Sequence, residues 1–122
     1  MSKKIVLVED DVMLQEMYQT KLKNEGFEVF LAENGDVGYK IICEQMPDLV
    51  LLDIMMPILD GFAVLEMLKK NPATKDIKVI MMTNLSTDED RKKGESMGAT
   101  DYLVKANMTP EQVNDVVKKN LA

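Results

Sequence analysis

The chain contains no histidine, one cysteine and no run of apolar residues long enough to span a bilayer. Each absence narrows the chemistry. Cys43 has no second cysteine to pair with, so it cannot form an internal disulfide. Set in a stretch of helical period, it reads as a buried, inert thiol in a reducing compartment. The opening "MSKK" leads into "IVLV", an apolar segment too short for a secretory signal, and then runs straight into acid. A cytoplasmic protein with no membrane association is expected.

Basic charge is also scarce. Fifteen Lys and Arg stand against 21 Asp and Glu, a net charge of −6. That argues against nucleic acid as a direct partner, since such binding needs a basic surface to displace counterions. It suits a protein that handles a cation or meets basic partner surfaces. No internal repeat, low-complexity tract or linker interrupts the 122 residues. One domain over residues 1–122, closing with its last helix, is therefore expected.

What is present is alternation. Five apolar, β-branched segments, "KIVLVE" (4–9), "EVFLA" (28–32), "DLVLLD" (48–53), "KVIMM" (78–82) and "DYLV" (101–104), read as strands. Three are near-continuous hydrophobic runs, the mark of strands covered on both faces of a parallel sheet. Longer segments of helical period separate them. Leu14, Met17, Tyr18 and Leu22 repeat along the first, which Gly26 stops; Ile41, Ile42 and Met46 repeat along the second, before Pro47. Val64, Leu65 and Leu68 follow an Asp60-Gly61 turn. "STDE" (86–89) is a capping-box pattern opening a strongly polar fourth helix. "TPEQ" (109–112) opens the fifth, with Thr109 as cap and Val113, Val116 and Val117 facing inward. Strand and helix in alternation predict a doubly wound α/β fold, a five-stranded parallel sheet flanked by five helices.

"DLVLLDIMMPILDG" (48–61) then poses the functional question. A run suited to burial ends on a bare carboxylate, Asp53, which costs free energy unless a charge meets it there. In such folds ligands bind at the carboxyl ends of the strands. The first strand ends in Glu9-Asp10-Asp11, the third in Asp53, the fourth in Thr83-Asn84 and the fifth in Lys105. Singly, each has an ordinary structural explanation: Asp11 can cap the next helix, and Thr83 or Lys105 can be a loop or surface residue. Jointly, packed carboxylates raise one another's pKa, and a divalent cation removes that cost. Oxygen ligands without histidine favour Mg²⁺ or Ca²⁺ over zinc. A cation with a lysine and a hydroxyl beside it describes a receptacle for a phosphoryl group, with Asp53 as candidate nucleophile.

Taken together, "VLVEDD" (6–11), "PDLVLLDIMMPILDGF" (47–62), Thr83 after "VIMM" and "GATDYLVK" (98–105) resemble the receiver domain of two-component response regulators, in the single-domain form of the chemotaxis regulators. The resemblance covers the whole chain. It implies a flavodoxin-like sheet of order 2-1-3-4-5, for which a member of that family is itself a standard example. It implies that Asp53 is the phosphoacceptor, that Lys105 pairs with the phosphoryl oxygens and that Thr83 donates its hydroxyl to one of them. It implies Mg²⁺ held by Asp10, Asp53 and the backbone carbonyl of Met55, with Glu9 reaching it through water. Three acids in a row leave a one-residue ambiguity, which the resemblance resolves by placing Asp11 third. Tyr102 matches the switch aromatic, whose bland reading is a half-buried strand tyrosine. Met55 and Met56 read as apolar cover beside the carboxylate.

The implied function is a phosphorylation-dependent signalling switch, not an enzyme acting on a separate substrate. A sensor histidine kinase or phosphotransfer protein supplies the phosphoryl group. The response appears on the surface of the fourth helix, fifth strand and fifth helix, toward an effector protein or fused output domain. Met55 and Leu85, apolar where polar side chains can position a hydrolytic water, imply a long-lived aspartyl phosphate. Two departures stand out. Ala106 replaces the family's usual proline after the lysine, which makes a cis bond there improbable. Asn84 replaces a small residue beside the switch hydroxyl. The rivals are a pseudo-receiver that binds without being phosphorylated, an aspartyl-phosphate hydrolase and a flavodoxin-like electron carrier. The second lacks an acid/base residue two positions after Asp53, and the third wants a Gly/Ser/Thr-rich phosphate loop where "EDDVM" stands.

Overall fold

A computed structural model describes residues 2–83 and 87–122. Asn84, Leu85 and Ser86, on which three of the sequence expectations fall, lie outside the described residues. Five strands, β1 (Lys4–Val8), β2 (Glu28–Ala32), β3 (Leu49–Asp53), β4 (Lys78–Thr83) and β5 (Asp101–Val104), form one parallel sheet of order β2-β1-β3-β4-β5. This is the expected order. Between and after them run α1 (Val12–Asn24), α2 (Gly35–Gln45), α3 (Gly61–Lys70), α4 (Asp88–Ser96) and α5 (Pro110–Leu121), with a 3₁₀ turn at Lys105–Asn107.

Period-two alternation within the strands sorts their side chains onto two faces. Ile5, Leu7, Leu49, Leu51, Ile80, Met82 and Leu103 pack with Tyr18 and Leu22 of α1 and Val113 and Val117 of α5. Val6, Val8, Val50, Leu52, Val79 and Met81 pack on the other face with Ile42, Phe62, Leu65, Leu68 and Tyr102. Both faces are covered, which is why the strands read as continuous apolar runs. Among the described residues no helix is long and apolar enough to cross a membrane.

Boundaries move by a residue where hydrogen bonding decides them. Glu9 leaves β1 but still donates its backbone N–H to the Ala32 carbonyl at 3.0 Å. Asp48 precedes β3, and its carboxylate accepts from the Lys4 N–H. Thr83 is the last residue of β4 instead of the first after it. The α4 cap is Thr87, whose hydroxyl accepts from the Asp90 N–H at 3.1 Å, one residue later than the capping-box pattern placed it. Thr109 forms the expected reciprocal box with Gln112.

Three apolar expectations fail. Met17 and Met46 are exposed, because Met17 edges a surface groove between α1 and Pro110 while Met46 takes the left-handed cap of α2. Cys43 is only half-buried, at the edge of the contact of α2 with Asn71. By contrast α4 fits its polar sequence, for it buries only Gly94. Two cations of the helix also lie over aromatic rings, Arg91 over Tyr102 and Lys93 over Phe62.

Candidate functional site

Register brings distant residues to one rim. Val8 pairs with Leu52, so Glu9 emerges beside Asp53; Asp53 pairs with Met82, and Thr83 pairs with Val104, immediately before Lys105. The rim lies where strand order reverses around β1 and β3, the ligand-binding position of open α/β sheets.

Glu9, Asp10 and Asp53 each place a carboxylate oxygen within 4.8 Å of the others. Lys105 Nζ lies 2.7 Å from Glu9 Oε1 and 3.1 Å from Asp53 Oδ2. Glu9 is wholly buried, Asp53 is 3% exposed and Lys105 8%, whereas Asp10 is exposed. The carboxylate that ends the buried run of β3 meets its opposite charge in this lysine, 52 positions along the chain.

Burial dominates the electrostatics. It pushes Glu9 up to about 7, against the lowering effect of Lys105 and with help from the charge of Asp53. Burial raises Asp53 as well, opposed by Glu9 and Lys105 and reinforced by Asp10. For Lys105, burial alone would lower the ammonium, but the Glu9 and Asp53 carboxylates outweigh it and the net displacement is upward. Three carboxylates against one ammonium leave excess negative charge at the rim. The donors are all hard oxygens, so the set fits Mg²⁺.

Several groups hold the set in place. The Asp11 N–H donates to Glu9 Oε2 at 3.2 Å, so both oxygens of Glu9 are engaged. Asp11 itself caps α1, accepting from the N–H groups of Met13 and Leu14. The Gln15 side-chain amide donates to the Glu9 carbonyl. The Met55 N–H donates to Asp53 Oδ1 at 3.3 Å. Gly61 closes the loop after β3: its N–H donates to the Ile54 carbonyl at 2.8 Å. A Cβ there would run into the Asp53 carbonyl oxygen and lie 2.8 Å from Ile54 Cα.

Every predicted site residue of the acid–lysine–hydroxyl set reaches this rim. Thr83 is buried at the end of β4. Tyr102 stands one strand over, its ring in the core between the sheet and α4, more deeply buried than a half-exposed strand tyrosine. Its hydroxyl is buried without a hydrogen-bond partner among the described residues. Met55 differs from expectation: it is 68% exposed and belongs to neither core cluster, although Met56 packs on the core. No cis peptide bond occurs among the described residues, Ala106 included.

Sequence reasoning missed Gln15 and Tyr18. The Tyr18 phenol is raised by burial, opposed by Lys105 and reinforced by Glu9, Asp53 and Asp11, so it lies within electrostatic reach of the site. Its apolar helical spacing hid it, and nothing in the sequence marks its hydroxyl.

A doubly wound sheet with an acidic rim closed by a buried lysine places the chain among α/β modules whose site lies at the carboxyl ends of the strands. The family model of the response regulator receiver domain matches residues 5–118. The chain belongs to that family, the phosphorylation-dependent module of two-component signalling. It is similar to the probable transcriptional regulator ycf29 of Pyropia yezoensis, 37% identical over 122 residues, 100% of this chain and 54% of the relative. The chain spans about half the length of the curated relatives it matches. Among solved structures, chemotaxis protein CheY4 of Vibrio cholerae superposes with a TM-score of 0.93 at 25% identity, covering 99% of this chain and 100% of that one. The BeF3-activated receiver domain of Klebsiella pneumoniae RstA gives 0.86 at 30% identity, covering 97% of each chain. With the whole acid–lysine–hydroxyl set assembled, the binding-only alternative has no support.

Proposed function

We propose that Asp53 is the phosphoacceptor of a cytoplasmic receiver domain spanning residues 1–122. The observation that carries this reading is the buried contact of Lys105 with Asp53 and with Glu9, the latter 96 positions away along the chain. A sensor histidine kinase or phosphotransfer protein presents phosphohistidine at the rim. An Asp53 carboxylate oxygen attacks phosphorus in line, the P–N bond breaks and its electron pair returns to the imidazole. The chain thereby assists its own phosphorylation and slow dephosphorylation without acting on a separate substrate.

Asp10, Asp53 and the Met55 carbonyl would hold Mg²⁺. Glu9, with both oxygens engaged by Lys105 and Asp11, would reach it through water. Bound there, Mg²⁺ would neutralise charge on the transferring phosphoryl oxygens. Lys105 exchanges its contact with the Asp53 carboxylate for one with the new phosphoryl group. Thr83 donates its hydroxyl to a phosphoryl oxygen, and the space it vacates favours the inward position that the Tyr102 ring already occupies. The population shift is read on the face of α4, β5 and α5 by an effector protein or a fused output domain. The thin packing of α4 supports an inexpensive displacement.

Incubation with acetyl phosphate and Mg²⁺ should label the chain, and Asp53→Asn should abolish the label. Retention of label in that variant refutes the assignment. The exposed apolar Met55 side chain supports a long-lived aspartyl phosphate. Loss of label within seconds in a chase refutes that part alone.

A further inference from the structure

The three carboxylates of the rim are not equally anchored. Glu9 is held by Lys105 at 2.7 Å and by the Asp11 N–H at 3.2 Å. Asp53 is met by Lys105 at 3.1 Å and by the Met55 N–H at 3.3 Å. Asp10 is the exception. It is exposed, and no hydrogen bond or ion pair among the described residues holds its carboxylate. Yet one of its oxygens lies within 4.8 Å of oxygens of the other two. A short side chain without a partner goes where its backbone sends it, so the peptide that carries Asp10 decides where that oxygen lies.

That peptide joins Glu9 to Asp10. It is planar, so a bond to the Glu9 carbonyl also fixes the amide from which Asp10 departs. The bond comes from Gln15. Its own N–H reaches the Asp11 carbonyl at 2.9 Å, one turn into α1, and its side-chain amide folds back to donate to the Glu9 carbonyl. One side chain thereby spans the whole turn from β1 to α1. We infer that Gln15 is a positioning residue for the cation site: by holding the Glu9–Asp10 peptide it aims the Asp10 carboxylate at the ion. The inference rests on the reading of Asp10 and Asp53 as carboxylates that hold Mg²⁺. Glutamine suits the task by type. It supplies an N–H donor without a positive charge to oppose the cation, asparagine is a methylene short, and methionine matches its length but has no donor. The competing account is that Gln15 only satisfies a polar carbonyl just beyond β1, a role whose loss costs stability and nothing else.

The test is Gln15→Met, with Gln19→Met, one turn further along α1, as the matched control. Mg²⁺ binding is read by calorimetric titration with MgCl₂ at pH 8, and separately by the rise in urea midpoint that MgCl₂ produces over EDTA. Gln15→Met should raise the Kd for Mg²⁺ about tenfold, as for loss of a partner that orients a ligating carboxylate, and should shrink the midpoint rise. Gln19→Met should leave both unaltered. With acetyl phosphate, Gln15→Met should need correspondingly more Mg²⁺ for half-maximal labelling of Asp53 while its rate at saturating Mg²⁺ stays that of the unaltered chain. Gln15→Asn, which keeps a polar amide but not the reach, should show the same defect and carries the test if the methionine variant does not fold. Lower stability in EDTA with an unaltered Kd overturns the inference. An unaltered chain that takes up no Mg²⁺ in either measurement overturns the cation-site reading, and the inference with it.

Discussion

The burial of Glu9 makes this fold less stable as pH rises through the range where most proteins are indifferent. In the folded chain Glu9 titrates near 7, against an ordinary value of 4.5. Between those values the folded chain keeps a proton that the unfolded chain has released, so unfolding liberates protons and higher pH favours it. At ~1.4 kcal/mol for each tenfold change in proton affinity, the loss between pH 4.5 and 7 approaches about 3 kcal/mol. Asp53, also raised, adds in the same direction. Glu25 and Glu66 act oppositely, since Lys118 and Lys70 hold them below the ordinary range. Their contribution is lost only as pH falls below about 4.5, outside this window.

Urea denaturation at fixed ionic strength, in EDTA, from pH 5 to 8 measures the slope directly. Glu9→Gln, which retains an acceptor for Lys105, should remove most of it. Millimolar MgCl₂ should restore stability chiefly at the high-pH end, because a cation competes with protons for the same oxygens and binds only the folded chain. A stability that rises from pH 5 to 7 without metal, or a slope that survives in Glu9→Gln, refutes the reasoning.

Three further outcomes test other parts of the argument. Gly94→Ala should stabilise the chain by about 0.5–1 kcal/mol. The added Cβ meets Met81, Ala99 and Phe62 atoms at 3.7–3.9 Å, ordinary contact, so a lower melting temperature contradicts the packing described for α4. Gly61→Ala should cost about 1–3 kcal/mol through forced backbone displacement and slow labelling of Asp53 by acetyl phosphate; urea titrations that match the unaltered chain refute the close approach. Lys105→Met leaves Glu9 and Asp53 buried without their cation, costing ~3–5 kcal/mol at pH 8. The cost should shrink at pH 5, where the carboxyls take up protons, and equal losses at both pH values would falsify the neutralising role of Lys105.

The legible parts of this molecule were those written in periodicity and order. "KIVLV" and "LVLLD" declare buried parallel strands because four of the five residues in each are apolar without a break, and the alternation of such runs with helical segments leaves few topologies. The site was legible for a related reason. Asp53 ends β3 while Glu9 and Lys105 come directly after β1 and β5, and parallel strands carry all their carboxyl ends to one side. Less legible was anything set by local hydrogen bonding. Thr87 and Ser86 are equivalent caps on paper, and only the observed bond to Asp90 distinguishes them. Met17 and Met46 fit the inward stripe, yet one lies at a groove edge and the other at a helix cap.

The remaining gap concerns side chains whose role depends on backbone handedness or on reach. Ile58 has the composition of a core residue, and no periodicity reveals that it occupies a positive-φ turn facing solvent. Glu9 is similar. A carboxylate in a row of three is equally suited by type to cap a helix, bind a cation or meet an ammonium, and the longer glutamate stem is the only hint of which it does. That stem brings Oε1 to 2.7 Å from Lys105 while the neighbouring aspartates cap α1 or face solvent. The same contact fixes the lysine in a chain that has alanine, not proline, after it. A short reach from β1 therefore orients the ammonium that the loop itself leaves less constrained.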